Sequence, residues 1–191
     1  MSLLSYEHLC NLVDAGVIGP VKPECINASS IDVHLGDILL VEKERFDINS
    51  MSAGPDWPVP LDLARKPIFK HEEIDMRITK AYVMKPGEFV LASTVEKFYL
   101  PDDISAEFRL KSSGARCGLN NLFACHCDAG WTGSVLTLEL HNVLRFHKLM
   151  LTPGMAIGQM LFHRHRPVPK DKSYATRGHY NYDVKTQGAK A

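Results

Sequence analysis

The stretch "PGEFVLASTVEKFYLPDDISAEFRLKSSGARCGL", residues 86–119, decides the fold. It contains two short, partly β-branched runs, "EFVLAST" and "ISAEFRL", separated by the turn chemistry of "LPDD". Directly after the second run, Lys111, Ser112, Ser113 and Arg116 crowd around Gly114. A plain turn needs the glycine and one serine, not two cations and adjacent hydroxyls. Read as one tight helical turn, "KSSGAR" sets Ser112 near the N-cap, where backbone N–H groups are unpaired. Ser112 and Arg116 are four apart and share a face. With Lys111 and Ser113 beside them they make an anion cradle. A serine-capped turn with solvated charges fits the same residues equally well.

Outward from this stretch the chain keeps a period of two. "IDVHL" sets Ile31, Val33 and Leu35 on one side, and "VLTLEL" and "MAIGQMLF" are further strand-like runs. "LGD", "KPG", "DAG" and "TPG" punctuate them. Strands at this spacing predict an all-β sandwich or barrel. Ser5 is placed to cap one short helix, with Leu9, Leu12 and Val13 on its apolar face and Gly16 at its end. "YVMKPGEFVLAS" and "LMLTPGMAIGQM" echo each other and read as two similar hairpins. The segment Arg45–Lys70 holds four of the eleven prolines and reads as a loop-rich surface excursion. From Pro167 to residue 191 the chain is polar, with tyrosines at 174, 180 and 182, and reads as a tail that is mobile in the absence of a ligand.

Size and charge narrow the function. A chain of 191 residues is one domain by the usual prior. It is 45% hydrophobic, and its net charge is zero with histidines neutral, so no global field favours nucleic acid or a membrane. No apolar run approaches the ~20 residues needed to span a bilayer. The start "MSLLSYEHLC" lacks a basic n-region and a long apolar core, unlike a secretory signal. Five cysteines, an odd number at irregular spacing, suit reduced thiols in a cytoplasm.

Further along, "CDAGWTGSVLTLELHN" carries Asp128 ahead of an Ala129–Gly130 turn, then Trp131. In the strand that follows, Leu136, Leu138 and Leu140 face one way and Thr137, Glu139 and His141 the other. That polar face is either solvent-exposed or the lining of a site. A half-buried Glu139 would have a raised pKa and serve as general acid and base. Zinc is the rival chemistry: Cys125, His126 and Cys127 adjoin, with Cys117 nearby. No C-x-x-C pair exists, however, and "HEE" at 71–73 lacks the P-C-x-x-C partner of zinc deaminases. Buried structural cysteines are the better reading. "HRHR" at 163–166 ends a strand and reads as a solvated edge.

Taken in order, "NASSIDVHLG", the 86–119 block, "DAGWTG", "LTLELHN" and "LTPGMAIGQMLF" resemble the blocks of dCTP deaminases, within the trimeric dUTPase superfamily. The likeness runs from Ser29 to Phe162 and is faintest between Val41 and Met84. It implies an all-β, distorted jelly-roll or barrel of the dUTPase-like type, assembled as a homotrimer with sites between subunits. It implies hydrolytic deamination of dCTP to dUTP and ammonia without zinc, Mg2+ entering on the triphosphate. Glu139 would be the general acid and base. Ser112 and the Ala124 carbonyl would hold the water, and Arg116 would stabilise the intermediate. Lys111 and Ser113 would bind phosphate, Asp128 would meet the deoxyribose, and Trp131 would shape the turn.

In the tail the resemblance brings Tyr174, His179 and Tyr180 to the phosphates. The family's Lys-Tyr pair reads His179-Tyr180 here, and Asp183 stands where glutamine would fall. An aspartate would repel phosphate, so a shorter chain such as that of dCMP enters as an alternative. So does a bifunctional deaminase and dUTP pyrophosphatase, with Asp128 positioning a second water. A non-catalytic nucleotide sensor would be expected to lack Ser112, Arg116 or Glu139, and all are present. "GSVLTLE" is one residue longer than the family's spacing to the glutamate, which a β-bulge would absorb.

Overall fold

The computed structural model of the chain describes residues 2–42, 71–122 and 124–190. In chain order the elements are β1 (Ser2–Leu3), α1 (Tyr6–Asp14), β2 (Ile18–Gly19), β3 (Ile31–His34), β4 (Ile38–Glu42), β5 (His71–Asp75), α2 (Met76–Thr79), β6 (Tyr82–Met84), β7 (Phe89–Tyr99), β8 (Ile104–Leu110), α3 (Ser112–Arg116), β9 (Leu119–Asn121), β10 (His126–Cys127), β11 (Thr132–Asn142), β12 (Leu149–Leu151), β13 (Ala156–Arg164) and α4 (Tyr174–Arg177). The excursion expected over Arg45–Lys70 lies outside the described residues.

The all-β expectation holds, and every strand pair is antiparallel. One sheet runs β1-β13-β8-β10, with β3 sharing an edge of β13. A second runs β5-β4-β7-β11-β9, with β2 at one end of β7. The two sheets bury one common core, with Ile31, Phe108 and Phe162 from the first and Leu39, Val90 and Leu138 from the second. Apolar side chains at alternate positions build it. Ile31, Val33 and Leu35 are all buried, while Asp32 and His34 between them turn to the other face. On that other face Glu96, 2% exposed, accepts from the backbone N–H of His34 (2.9 Å) and lies 2.7 Å from His34 Nδ1. Such pairing is what a buried carboxylate requires.

Helix α1 begins after Ser5 and buries Leu9 and Leu12. Ser5 occupies the N-cap position, but its hydroxyl turns to His8 Nδ1, 3.1 Å away, rather than to a backbone N–H. The two echoed segments are not two hairpins. β6 and β12 pair with each other, Val83 opposite Met150, in a small third sheet. Each chain then passes through its Pro-Gly turn into a different large sheet, β6 leading to β7 and β12 to β13. Similar local sequence fixed similar turns, and the pairing partner was a tertiary choice. Among the described residues no helix is long and apolar enough to cross a membrane.

Candidate active site

The site is built on β11. At its start Gly133 adopts φ +73°, and the register against β7 slips there: Thr132 faces Tyr99 and Ser134 faces Phe98. Two residues on β11 thus span one on β7, which is a β-bulge, and glycine takes its left-handed position at no steric cost. A second irregularity follows between Val135 and Thr137. Beyond it the ladder is regular, with Thr137 opposite Ser93, Glu139 opposite Leu91 and His141 opposite Phe89. A β-bulge of the kind the longer spacing calls for is thus present between Gly133 and Glu139.

Thr137 and Glu139 face a cavity of about 440 Å³. Glu139 is held through its backbone: its N–H donates to Asn121 Oδ1 (3.0 Å) and its carbonyl accepts from the N–H of Leu122 (3.0 Å). Asn121 is itself buried, so both backbone groups of Glu139 are held by the β9 side of the sheet. The side chain is left to the cavity. Its Oε2 is buried and has no hydrogen-bond partner among the described residues. Burial pushes this carboxyl up to about 7, while the hydrogen bond from its own backbone N–H pulls weakly the other way. A carboxyl so poised exchanges a proton readily near neutrality.

The other walls come from separate segments. The turn Asp128–Trp131 closes with the N–H of Trp131 donating to the Asp128 carbonyl (3.2 Å). Trp131 stacks on Phe98 with ring centroids 5.3 Å apart, and its indole N–H donates to the carbonyl of Tyr180 (2.8 Å). That carbonyl also accepts from Ser134 Oγ (2.8 Å). The tail thus runs along the bulged start of β11. The N–H of Tyr182 donates to the Thr132 carbonyl (3.0 Å), and the N–H of Val135 to the Asp183 carbonyl (2.8 Å). At Gly130 (φ +85°) the tail approaches so closely that a Cβ would strike the hydroxyl of Ser173. In this way the segment from Pro167 is docked against the fold, and several of its residues line the cavity.

Of the residues singled out in the sequence, Glu139, Ala124, Asp128, Trp131, Tyr174 and Tyr180 all line the cavity, as does Asp183. Asp128 is flanked by His126 Nε2 (3.4 Å) and Arg177 Nη2 (3.8 Å). Lys111, Ser112, Ser113, Arg116 and His179 do not line it within one chain. α3 forms as the predicted helical turn, with Lys111 rather than Ser112 at the N-cap, and Ser112, Ser113 and Arg116 are exposed. Lys111 points instead to Asp32, with Nζ 2.6 Å from Oδ2. The carbonyl of His179 accepts from Lys190 Nζ (2.9 Å), and the His179 backbone also meets the hydroxyl of Tyr174.

Several wall residues were not expected there, His71 having stood only in the "HEE" weighed for zinc. His71 on β5 lines the cavity, its pKa lowered by burial, as do Phe89 and Leu91 on β7 and Gln187–Ala189 in the tail. The β7 residues carried a signal in their period-two pattern. The tail residues carried none, because their place is set by contacts far along the chain. Among the described residues no group of three or more His, Cys, Asp or Glu side chains converges to hold a metal. Cys127 is buried, which pushes its thiol up, and His126 beside it is exposed.

A family model described as dCTP deaminase-like matches residues 3–165. The chain belongs to the dCTP deaminase-like family. It is 51% identical over 149 residues to a protein of Beutenbergia cavernae named "dCTP deaminase, dUMP-forming", an alignment covering 77% of this chain and 70% of that protein. A protein of the same name from Streptomyces griseus is 37% identical over 162 residues, covering 83% and 78%. In fold, the chain is similar to the 2'-deoxycytidine 5'-triphosphate deaminase of Agrobacterium tumefaciens, with TM-score 0.62 at 19% identity. That match covers 85% of this chain and 48% of the other, so the present chain spans about half its length. The all-β architecture expected from the resemblance is the one found, and the chain shares its fold with that solved deaminase.

Proposed function

We propose that this chain hydrolyses dCTP to dUMP, ammonia and pyrophosphate, consuming two waters. The observation that carries the deaminase half is the buried, unpartnered Glu139 Oε2 in the cavity, on a carboxyl raised to about 7. In this reading water held between Ser112 Oγ and the Ala124 carbonyl attacks C4 of cytosine. Glu139 takes its proton and returns protons to N3 and to the departing amine. Arg116 stabilises charge on the tetrahedral intermediate through a preorganised guanidinium.

Since α3 is exposed and outside the cavity of its own chain, Lys111, Ser112, Ser113 and Arg116 are assigned to the cavity of a neighbouring copy in a homotrimer. Magnesium enters on the phosphate oxygens of the nucleotide rather than on protein side chains. Five free cysteines suit a cytoplasmic setting.

The sequence reading favoured dUTP as end product. The names of the relatives support the bifunctional alternative, in which dUTP is an intermediate and a second water attacks its α-phosphate. Asp128, 47% exposed at the cavity wall, is the carboxylate placed to orient that water. Incubation with dCTP, dCDP and dCMP, following ultraviolet loss and pyrophosphate together, tests the reading. Release of dUMP and pyrophosphate from dCTP supports it, accumulation of dUTP limits the enzyme to deamination, and turnover of dCMP alone overturns it.

A further inference from the structure

The ionisable groups that line the cavity raise a problem of charge. Asp128, Glu139 and Asp183 are acidic, and none of the described lining residues is Lys or Arg. Asp183 is well buried, its side chain 13% exposed. A bare carboxylate there would repel any polyphosphate brought to this wall.

Lys190 removes that charge. Its ammonium lies 2.7 Å from each oxygen of Asp183 and 2.9 Å from the carbonyl of His179, which uses all three of its donors. The same nitrogen sits 5.0 Å from the centroid of the Tyr180 ring, and the N–H of Lys190 donates to the Tyr180 hydroxyl (3.2 Å). The chain reaches this position because Thr186, 3% exposed, is pinned to the carbonyl of Ile38 (2.7 Å) and to Ser93 Oγ (3.0 Å). Residues 187–189 then roof the cavity between two fixed points.

We propose that Lys190 is a specificity-determining residue for the phosphate-bearing end of the ligand, acting by cancelling the charge of Asp183. This rests on the nucleotide reading above. Position 183 is then compatible with a triphosphate because its charge is neutralised within the same tail, seven residues on, and the phosphate preference of the cavity is set by the pair rather than by either residue.

The test compares wild type, Lys190→Met, Asp183→Asn and the double variant, each checked for folding by thermal melting. Calorimetric titration with inorganic tripolyphosphate is set beside KM for dCTP and for deoxycytidine. Lys190→Met leaves a net negative charge and weakens tripolyphosphate and dCTP by about tenfold, with deoxycytidine little changed. Asp183→Asn alone tightens both, and the double variant returns to within about threefold of wild type. Equal losses for deoxycytidine, or no recovery in the double variant, would show that Lys190 merely holds the roof and would overturn the inference. So would wild type that does not bind tripolyphosphate, or an unchanged Lys190→Met. A wild type that binds tripolyphosphate with this pattern yet leaves dCTP intact removes the deaminase reading and leaves the charge pair standing.

Discussion

The side-chain oxygen of Asn121 accepts the backbone N–H of Glu139 at 3.0 Å, from a position that is itself 9% exposed. This bond ties the short strand β9 to the residue whose carboxyl enters the cavity, and it does so without touching the carboxyl. Asn121→Leu leaves that N–H unsatisfied in a buried place and costs about 1–3 kcal/mol of stability. The expected kinetic signature is a fall in kcat of about tenfold with KM for dCTP nearly unchanged, since the base is displaced while the binding walls stay. A matched fall in kcat and rise in KM would mean that the whole wall has moved.

Glu139→Gln keeps the shape of the side chain and removes its proton chemistry. Nucleotide binding is expected to persist, while deamination falls by roughly 10²–10⁴-fold. The substitution also changes the pH dependence of stability. The carboxyl titrates from an ordinary value of 4.5 in the unfolded chain and about 7 in the fold. Below 4.5 it is protonated in both states and costs nothing. Between these values the unfolded chain ionises first, so wild type loses stability as pH rises, and above about 7 the loss is complete. Glu139→Gln has no such loss. Its stability relative to wild type should grow between pH 5 and pH 8 by about 1–2 kcal/mol, a figure reduced for the solvent that reaches the cavity. Denaturant melts at both pH values measure it, and a difference that does not change with pH refutes the raised pKa.

Gly133→Ala probes the bulge. An alanine at φ +73° costs about 1–2 kcal/mol, and its Cβ would sit 2.5 Å from the Tyr182 ring. The ring is exposed and can swing away, so the larger consequence is loss of the bond from the N–H of Tyr182 to the Thr132 carbonyl. Faster amide exchange at Tyr182 and Val135, with little change at Glu139, is the expected pattern. Unchanged exchange at Tyr182 would separate the bulge from tail docking.

Period-two patterning made the strands legible because an antiparallel sheet with one buried face writes itself into alternate residues, as at Ile31, Val33 and Leu35. It could not say that β6 pairs with β12, since both candidate partners offered the same short apolar run. Glu139 was legible as a chemical candidate because it stood in the polar register of an otherwise leucine-rich strand. The pairing of Asp183 was not legible, for a physical reason. Its partner, Lys190, lies in a polar tail with no periodicity, and only the pinning of Thr186 against Ile38 and Ser93 brings the ammonium back. Charges that meet through tertiary loops leave no spacing rule in the sequence.

The separation of α3 from the cavity of its own chain sets the last prediction. If Ser112 and Arg116 complete a neighbour's site, Arg116→Ala and Glu139→Gln should each be inactive as pure proteins yet complement one another when mixed. A site in a mixed trimer is intact when its carboxylate comes from an Arg116→Ala subunit and its guanidinium from a Glu139→Gln subunit. Random assembly of equal amounts gives that combination in about a quarter of sites. Refolding or co-expressing the two variants and assaying dCTP turnover should therefore recover about a quarter of wild-type activity. Recovery must follow subunit exchange, because simple mixing of stable trimers leaves every site defective. No recovery after verified exchange would place the guanidinium and the carboxylate of each site on one chain, and the exposed turn at Ser112–Arg116 would then need a different role.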